Sequence, residues 1–245
     1  MRRGAALALT MVIVTACGSG GLFRQYEYEE EIYLSLDGSA TVYVNSSLAA
    51  LNALRGTAFD TNPNARLDLA QVRALYETPV THVTSVKQSR RNNRRFAHVR
   101  LDVADVRRLG EAAPFAWSAY RFNRDGNLYV YRQDVGNAAA KDAGSVGWTG
   151  SEIVAFRLHL PSRVRYQNSK EPPKRGNILV WEQSLDDRLH SKPIGLDARM
   201  DPESILYWTL QLFGATFAAV AVTFGVVIWW ILRRGGSPAV RSVHL

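Results

Sequence analysis

The side chains that could do chemistry in this sequence are five histidines, one cysteine and several groups of charged residues. The histidines are His82, His98, His159, His190 and His244. None of them has a second histidine at the close spacing typical of zinc sites. His82 and His98 fall on neighbouring strands of one predicted hairpin, where a zinc site would still need a carboxylate such as Asp102. We favour ordinary strand-surface histidines, and we predict no metal site and no cofactor.

Enzyme motifs do not stand out either. The sequence has no G-x-S-x-G nucleophile elbow, and the run GSVGWTG at 144–150 lacks the Gly-Lys-Ser/Thr ending of a phosphate-binding loop. Glu27, Glu29, Glu30 and Glu31 would suit acid–base catalysis, but adjacent carboxylates on a strand more often form a solvated edge. We therefore predict no catalytic residue. A membrane-tethered hydrolase or transferase remains the alternative, and it would need histidines and carboxylates that converge in a cleft.

Two basic clusters remain. One is a predicted hairpin turn that contains Arg90, Arg91, Arg94 and Arg95. The other is a predicted loop that contains Arg163, Arg165, Lys170, Lys174 and Arg175. Such charges are often only solvated, but guanidinium groups also bind phosphate in a bidentate way. The functional hypothesis is contact with anionic headgroups, phosphorylated glycolipid or an acidic partner.

The C-terminal part predicts a membrane helix. Residues 204–232 contain no charge, and a helix of that length extends about 43 Å, enough to cross a bilayer. Aromatic residues stand where the two membrane interfaces should be, and a short basic flank is typical of the cytoplasmic side. These predicted interface residues are Tyr207, Trp208, Trp229, Trp230, Arg233 and Arg234.

Small residues along the same helix leave a further possibility open. Gly214, Ala215, Ala218, Ala219 and Ala221 would permit close contact with a second helix. The protein could then be an accessory subunit that meets a membrane-protein partner through Gly214 and Ala218.

The N-terminus predicts export. Arg2 and Arg3 precede an apolar stretch from Ala5 to Ala16, which is too short to span a membrane and typical of a signal peptide. The sequence Val-Thr-Ala-Cys at 14–17 resembles the lipobox of bacterial lipoproteins, in which the cysteine becomes acylated. Cys17 is the only cysteine, so it cannot form an internal disulfide. An ordinary secretory signal with an incidental Cys17 is the alternative.

The charge balance of the intervening domain argues against a nucleic-acid partner. The whole chain has a formal charge of +8, but 25 of its 30 basic residues and all 22 acidic residues lie between the two terminal segments. The domain between the predicted anchors therefore carries only about three positive charges in excess. We predict a membrane partner and no nucleic acid.

The domain itself has the pattern of an α+β fold. Paired strands are predicted at 26–44, at 80–103 around a polar turn at 88–95, and at 118–132, with further strands at 153–160, 178–181 and 194–200. Helices are predicted at 48–54, 69–77 and 104–112, the last capped by Asp102, and 135–149 is expected to be a mobile loop. Asp201-Pro202-Glu203 is expected to begin the membrane helix. The predicted class is α+β, with an antiparallel sheet and helices on one face.

Several short motifs together resemble the LppM-type lipoproteins of bacterial envelopes. They are the lipobox, Leu36-Asp37-Gly38-Ser39-Ala40-Thr41-Val42, Leu160-Pro161, Gly176-Asn177-Ile178-Leu179-Val180-Trp181 and the C-terminal membrane helix. The resemblance implies an envelope-facing α+β domain and suggests glycolipid or phospholipid binding. It transfers no active-site residue.

The predicted organisation follows from these features. It is a lipoprotein signal peptide at 1–16, a tether at 17–25 and an extracytoplasmic domain at 26–203. A transmembrane helix at 204–232 and a cytoplasmic tail at 233–245 complete the chain. The predicted function is that of a non-enzymatic envelope lipoprotein that binds lipid, glycolipid or an envelope partner.

Overall fold

The computed structural model describes residues 24–173 and 177–234, which fold into an α+β domain followed by one long helix. The strands are β1 (Gln25–Leu34), β2 (Ala40–Ser47), β3 (Thr81–Arg91), β4 (Arg94–Val103), β5 (Ser118–Asp125), β6 (Leu128–Val135), β7 (Glu152–His159), β8 (Ser162–Gln167), β9 (Ile178–Ser184) and β10 (Ile194–Ser204). The α-helices are α1 (Leu48–Arg55), α2 (Leu69–Tyr76), α3 (Leu185–Leu189) and α4 (Ile205–Arg234), and 3₁₀ helices cover Val106–Glu111 and Ala113–Phe115. The predicted α+β class and C-terminal apolar helix are confirmed.

The strands of the described residues form two sheets. The larger has the order β3-β4-β2-β1-β7-β9 and the smaller has the order β5-β6-β10-β8. In the larger sheet β1 and β7 run parallel, while the other neighbouring strands are antiparallel. The structure thus refines the predicted antiparallel sheet, because a parallel pair joins segments far apart in sequence and local patterning does not reveal it.

Helix α1 fills the space against the inner face of the larger sheet, and its residues from Leu48 to Leu54 are all buried. The side chain of Ser47 accepts a hydrogen bond from the backbone N–H of Ala50, which caps the N-terminus. Gly56 closes the helix at φ +71°, a left-handed conformation that glycine adopts without steric cost.

The β3–β4 hairpin is longer and tighter than predicted. Its strands pair as far as Arg91 and Arg94, so the turn consists of Asn92 and Asn93 alone. Both asparagines have positive φ, at 48° and 55°, as a two-residue hairpin turn requires. The prediction of a polar turn over 88–95 was wrong, because ladder pairing overrides the low strand propensity of a charged segment.

Other local predictions also need correction. Strand β8 lies within the predicted basic loop, and α3 replaces a predicted turn. The 3₁₀ helix after β4 is capped by Asp105, not by Asp102, which remains in the strand. Pro202 lies near the end of β10, so the C-terminal apolar helix begins at Ile205 and not with the predicted proline turn.

Glu30 is a buried carboxylate at the contact between the two sheets, with 1% of its surface exposed. Its Oε1 accepts hydrogen bonds from Tyr120 Oη and Gln133 Nε2, both at 2.8 Å. Its Oε2 accepts from Tyr28 Oη at 3.1 Å and lies 3.7 Å from Nη2 of the buried Arg55. A buried charge is tolerated only when it is paired and hydrogen-bonded, so this network ties β1, α1, β5 and β6 together.

We predict that Glu30→Ala lowers the free energy of unfolding by about 3–5 kcal/mol, because Arg55 would be left as an uncompensated buried charge. Denaturant unfolding of the full chain in detergent, followed by tryptophan fluorescence, measures the loss. The control is Glu111→Ala, which removes an exposed carboxylate paired with Arg108 and should leave the stability almost unchanged, because water screens an exposed ion pair. Equal losses in the two variants would contradict the bridging role of Glu30.

Candidate functional site

The histidines do not converge. His82 lies opposite Asp102 in the β3–β4 ladder, whereas His98 lies opposite Lys87, five positions farther along β3. His159 pairs with Glu31 on β1 at 2.5 Å, and His190 lies on the surface beside α3. Within residues 24–173 and 177–234, no group of three or more His, Cys, Asp or Glu side chains is placed to hold a metal ion.

The two arginine clusters lie near opposite ends of β1 and β7, which run parallel and side by side in the larger sheet. The β3–β4 turn is at the first residues of these strands, where Arg91 Nη2 donates to the carbonyl of Tyr26 at 2.6 Å. Helix α4 starts at their last residues, where the N–H of Ile205 donates to the carbonyl of Pro161 just after β7. The eight residues of β7 correspond to about 26 Å. The two clusters therefore do not form one site.

Arg94 belongs to the interior and not to the surface, with 6% of it exposed. Its Nη2 lies 2.9 Å from Glu27 Oε1 and 3.9 Å from Glu152 Oε1, and its Nη1 donates to the carbonyl of Gly147 at 2.9 Å. Arg95 is equally buried and donates to the carbonyl of Asp60. Of the four arginines in this cluster, only Arg90 and Arg91 are exposed.

The segment between β6 and β7 has no regular structure, as predicted, but hydrogen bonds to backbone carbonyls and to buried carboxylates hold it in place. The N–H groups of Ala139 and Lys141 donate to carbonyls at the C-terminal end of α1. Trp148 Nε1 donates to Glu27 Oε2 at 3.4 Å. The carboxylate of Glu152 accepts from the N–H groups of residues 149 and 150, at 2.9 and 2.8 Å. The predicted mobility of this loop has no support in these contacts.

Arg163 and Arg165 of the second cluster line a groove of about 660 Å³ where the smaller sheet meets α4, whereas Lys170 lines a different pocket. The lining residues of the groove are Asn127, Arg163, Arg165, Asp201, Pro202, Glu203, Ile205, Thr209 and Leu212. The polar wall comes from β8, from the end of β10 and from the β5–β6 turn. The other wall is one stripe of α4, since Ile205, Thr209 and Leu212 have the spacing of residues on one helix face. The groove therefore places charged groups directly beside the start of the apolar helix.

The charges of the groove are not equivalent. Arg165 Nε donates to Asp201 Oδ1 at 2.7 Å, and this hydrogen bond raises the pKa of Arg165 above its ordinary value. Arg163 is exposed and has neither an ion pair nor a side-chain hydrogen bond to any residue that the structure describes. Glu203 is also exposed at the same site. Arg163 is thus the guanidinium that remains available to a phosphate.

Helix α4 follows β10 without a linker. It is 30 residues long and apolar enough to cross a membrane, and its most apolar window has none of its surface buried against the domain. Tyr207 lies in its first turn, and at the other end Arg233 and Arg234 lie over the rings of Trp229 and Trp230. Trp208 belongs to the same helix, and Gly214 and Ala218 are exposed along it.

Some predicted features lie outside the described residues. They are Cys17 with the signal peptide at 1–16, most of the tether at 17–25, Lys174 and Arg175, and the tail beyond Arg234. They stay predictions.

Comparison with known proteins gives a similarity of fold. No protein-family model matches the sequence, and no curated protein matches it. Among solved structures, the chain is similar to the NMR structure of the folded domain of LppM from Mycobacterium tuberculosis, with a TM-score of 0.43 and 12% identity. The match covers 75% of this chain and 95% of that domain. The similar protein belongs to the family that the sequence motifs resemble, and the similarity concerns the fold alone.

The sequence identified Arg163 and Arg165 but missed most of the groove. Asn127 comes from a hairpin turn far away in sequence, and no local pattern connects it to β8. Asp201 and Glu203 were assigned to the start of the membrane helix. The stripe of Ile205, Thr209 and Leu212 was detectable from its spacing, which is the one signal that points to this wall of the groove.

We predict that Arg94→Gln lowers the free energy of unfolding by about 3–5 kcal/mol, because the buried carboxylates of Glu27 and Glu152 would lose their cation. Denaturant unfolding of the full chain measures this. The matched control is Arg90→Gln in the exposed part of the hairpin, which should change stability by no more than about 0.5 kcal/mol. If both variants are as stable as the natural chain, Arg94 is not a structural cation.

Proposed function

We propose that this chain is a membrane-anchored envelope protein that binds an anionic phospholipid or phosphorylated glycolipid, without changing it chemically, in the groove between β8, β10 and α4. In this proposal Cys17 carries a lipid, α4 crosses the membrane, and the domain at 26–203 lies outside the cytoplasm. The headgroup phosphate binds Arg163, and an acyl chain lies along Ile205 and Leu212.

The observation that carries the proposal is the position of the groove. An exposed guanidinium stands beside the first turns of an uncovered apolar helix. In a chain whose helix crosses a membrane, this is the level at which a lipid changes from headgroup to hydrocarbon. A phospholipid has its charged and apolar groups in the same order, with a charged phosphate followed by apolar acyl chains. Since β10 continues directly into α4, the groove stays at the membrane surface whenever the helix is inserted.

The electrostatics of the groove favour one contact. A basic residue close to an anionic membrane contributes about 1 kcal/mol to the free energy of membrane binding. Arg165 forms an ion pair with Asp201, whereas Arg163 has no such partner among the described residues. The carboxylate of Glu203 at the same site repels an anionic ligand. Arg163 should therefore contribute more to binding than Arg165, and removal of the charge of Glu203 should strengthen binding.

Arg90 and Arg91 are the remaining exposed members of the other cluster. They lie at the end of the larger sheet away from α4, so contact with the same lipid molecule would require it to reach about 26 Å along the sheet. We keep them as a separate proposed contact for an anionic headgroup or glycolipid.

Native mass spectrometry of the detergent-purified full chain tests the groove, with phosphatidylglycerol and phosphatidylcholine supplied in equal amounts. We expect the natural chain to retain phosphatidylglycerol preferentially. Arg163→Gln should reduce that preference about fivefold, as expected from about 1 kcal/mol of lost attraction. Glu203→Gln should increase it.

The control is the double variant Arg90→Gln with Arg91→Gln, which removes two exposed arginines at the other end of the sheet. We expect it to leave the retained lipid unchanged. The groove would be contradicted as the binding site if the double variant loses the preference for phosphatidylglycerol and Arg163→Gln keeps it. Equal retention of both lipids by the natural chain would contradict binding of an anionic lipid altogether.

A further inference from the structure

Four polar side chains form a hydrogen-bonded row across four neighbouring strands on the outer face of the larger sheet. Ser89 Oγ on β3 lies 2.7 Å from His98 Nε2 on β4. His98 Nδ1 lies 2.9 Å from Asn45 Oδ1 on β2. Asn45 Nδ2 donates to Glu29 Oε2 on β1 at 3.3 Å. Both distances to His98 are within the range used by a nucleophile, its base and the group that orients the base.

For a neutral His98, the row has one consistent proton arrangement. An ionised Glu29 can only accept hydrogen bonds, so it fixes the amide of Asn45 with its Nδ2 toward β1 and its Oδ1 toward His98. Asn45 Oδ1 in turn accepts from His98, which places the imidazole proton on Nδ1. His98 Nε2 then carries the lone pair that accepts the hydroxyl proton of Ser89. Arg157 on β7 holds Glu29 in place through an ion pair of 2.6 Å.

A cavity of about 210 Å³ opens at this row, and Ser89 and His98 lie in its wall. Tyr26 and Phe96 supply aromatic surface, and Arg91 supplies a positive charge. The guanidinium of Arg91 is fixed over the ring of Phe96 and by its hydrogen bond to the carbonyl of Tyr26. A positive charge at this place can stabilise the oxyanion that forms when a hydroxyl attacks a carbonyl.

We propose that Ser89, His98 and Asn45 form a nucleophile, a general base and its orienting residue for the hydrolysis of small carboxylic esters. Ser89 Oγ bonds to the acyl carbon, and its proton passes to His98 Nε2. The bond from the acyl carbon to the alkoxy oxygen breaks, and the alcohol leaves with that proton. Water then attacks the acyl-serine, gives a proton to Nε2, and releases the carboxylic acid as the proton returns to Ser89.

The surroundings of His98 suit the role of a base. Partial burial, and to a smaller extent the charge of Arg91, lower the pKa of His98 below its ordinary value, so the imidazole is neutral near pH 7. The charged groups around it are Lys87 and Arg91 on β3, Arg100 two residues farther along β4, and Glu29 beyond Asn45. Of these groups, Arg91 acts on the pKa of His98 in the same direction as burial.

This activity goes beyond lipid binding and uses a different place in the molecule. Ser89 lies toward the β3–β4 turn, at the opposite end of the larger sheet from the groove beside α4. Failure of one proposal therefore leaves the other intact. The sequence alone indicated a membrane-tethered hydrolase only as a general alternative, without naming catalytic residues. Ser89, His98 and Asn45 do not belong to one sequence motif, and Asn45 lies far from the other two along the chain.

A fluorophosphonate probe tests the nucleophile on the full chain in detergent, with the modified peptide located by mass spectrometry. We expect labelling at Ser89 and none after Ser89→Ala. His98→Gln should slow labelling about 100-fold or more, as expected for loss of a general base. The rate should fall in acid as His98 becomes protonated, with a midpoint below the ordinary histidine value of about 6.5.

Ser35→Ala serves as the control, since Ser35 is exposed at the far end of the same sheet and should not affect labelling. Hydrolysis of p-nitrophenyl acetate is measured in parallel and should follow the same order of variants. An unlabelled Ser89 would overturn the proposal. Labelling that His98→Gln leaves unchanged would overturn it too, because Ser89 would then be only an exposed serine.

Discussion

The carboxylate of Glu30 is the constraint on which the rest of the domain depends. A charge buried between two sheets must find its partners there, and its partners come from both sheets and from α1. Apolar packing alone would allow the sheets to shift against each other, since it has little directional preference. The hydrogen bonds from Tyr120 and Gln133 have fixed directions, and they set how the smaller sheet sits on the larger one.

That fixed arrangement determines where the apolar helix α4 leaves the domain. Strand β10 belongs to the smaller sheet and continues into α4 with no linker. The N–H of Ile205 binds the carbonyl of Pro161, which follows directly on β7 of the larger sheet. Both sheets therefore hold the first turn of α4. The groove with Arg163 forms at this junction because residues of β8 and of the β5–β6 turn both lie beside the first turns of α4.

Buried ion pairs also explain why charged segments of this sequence were difficult to interpret. Glu27 and Glu30 belong to a run that is typical of a solvated strand edge, yet both are buried. Arg94 and Arg95 belong to a run that is typical of an exposed turn, and both are buried as well. Arg94 on β4 reaches Glu27 on β1 across the one intervening strand, β2. Local pattern treats each charge by itself, whereas burial here depends on a partner that is 67 positions away.

The sequence by itself determined the elements whose causes are local. Helix α1 follows from Ser47 and Gly56, α2 from Asp68, and the apolar helix from the long uncharged segment before Arg233. Only the tertiary structure decided the parallel pairing of β1 with β7, the separation of the two arginine clusters, and the row from Ser89 to Glu29. The physical reason is that strand order and ion pairing are free-energy terms between distant segments. A local sequence pattern contains no information about which of several possible partners will meet.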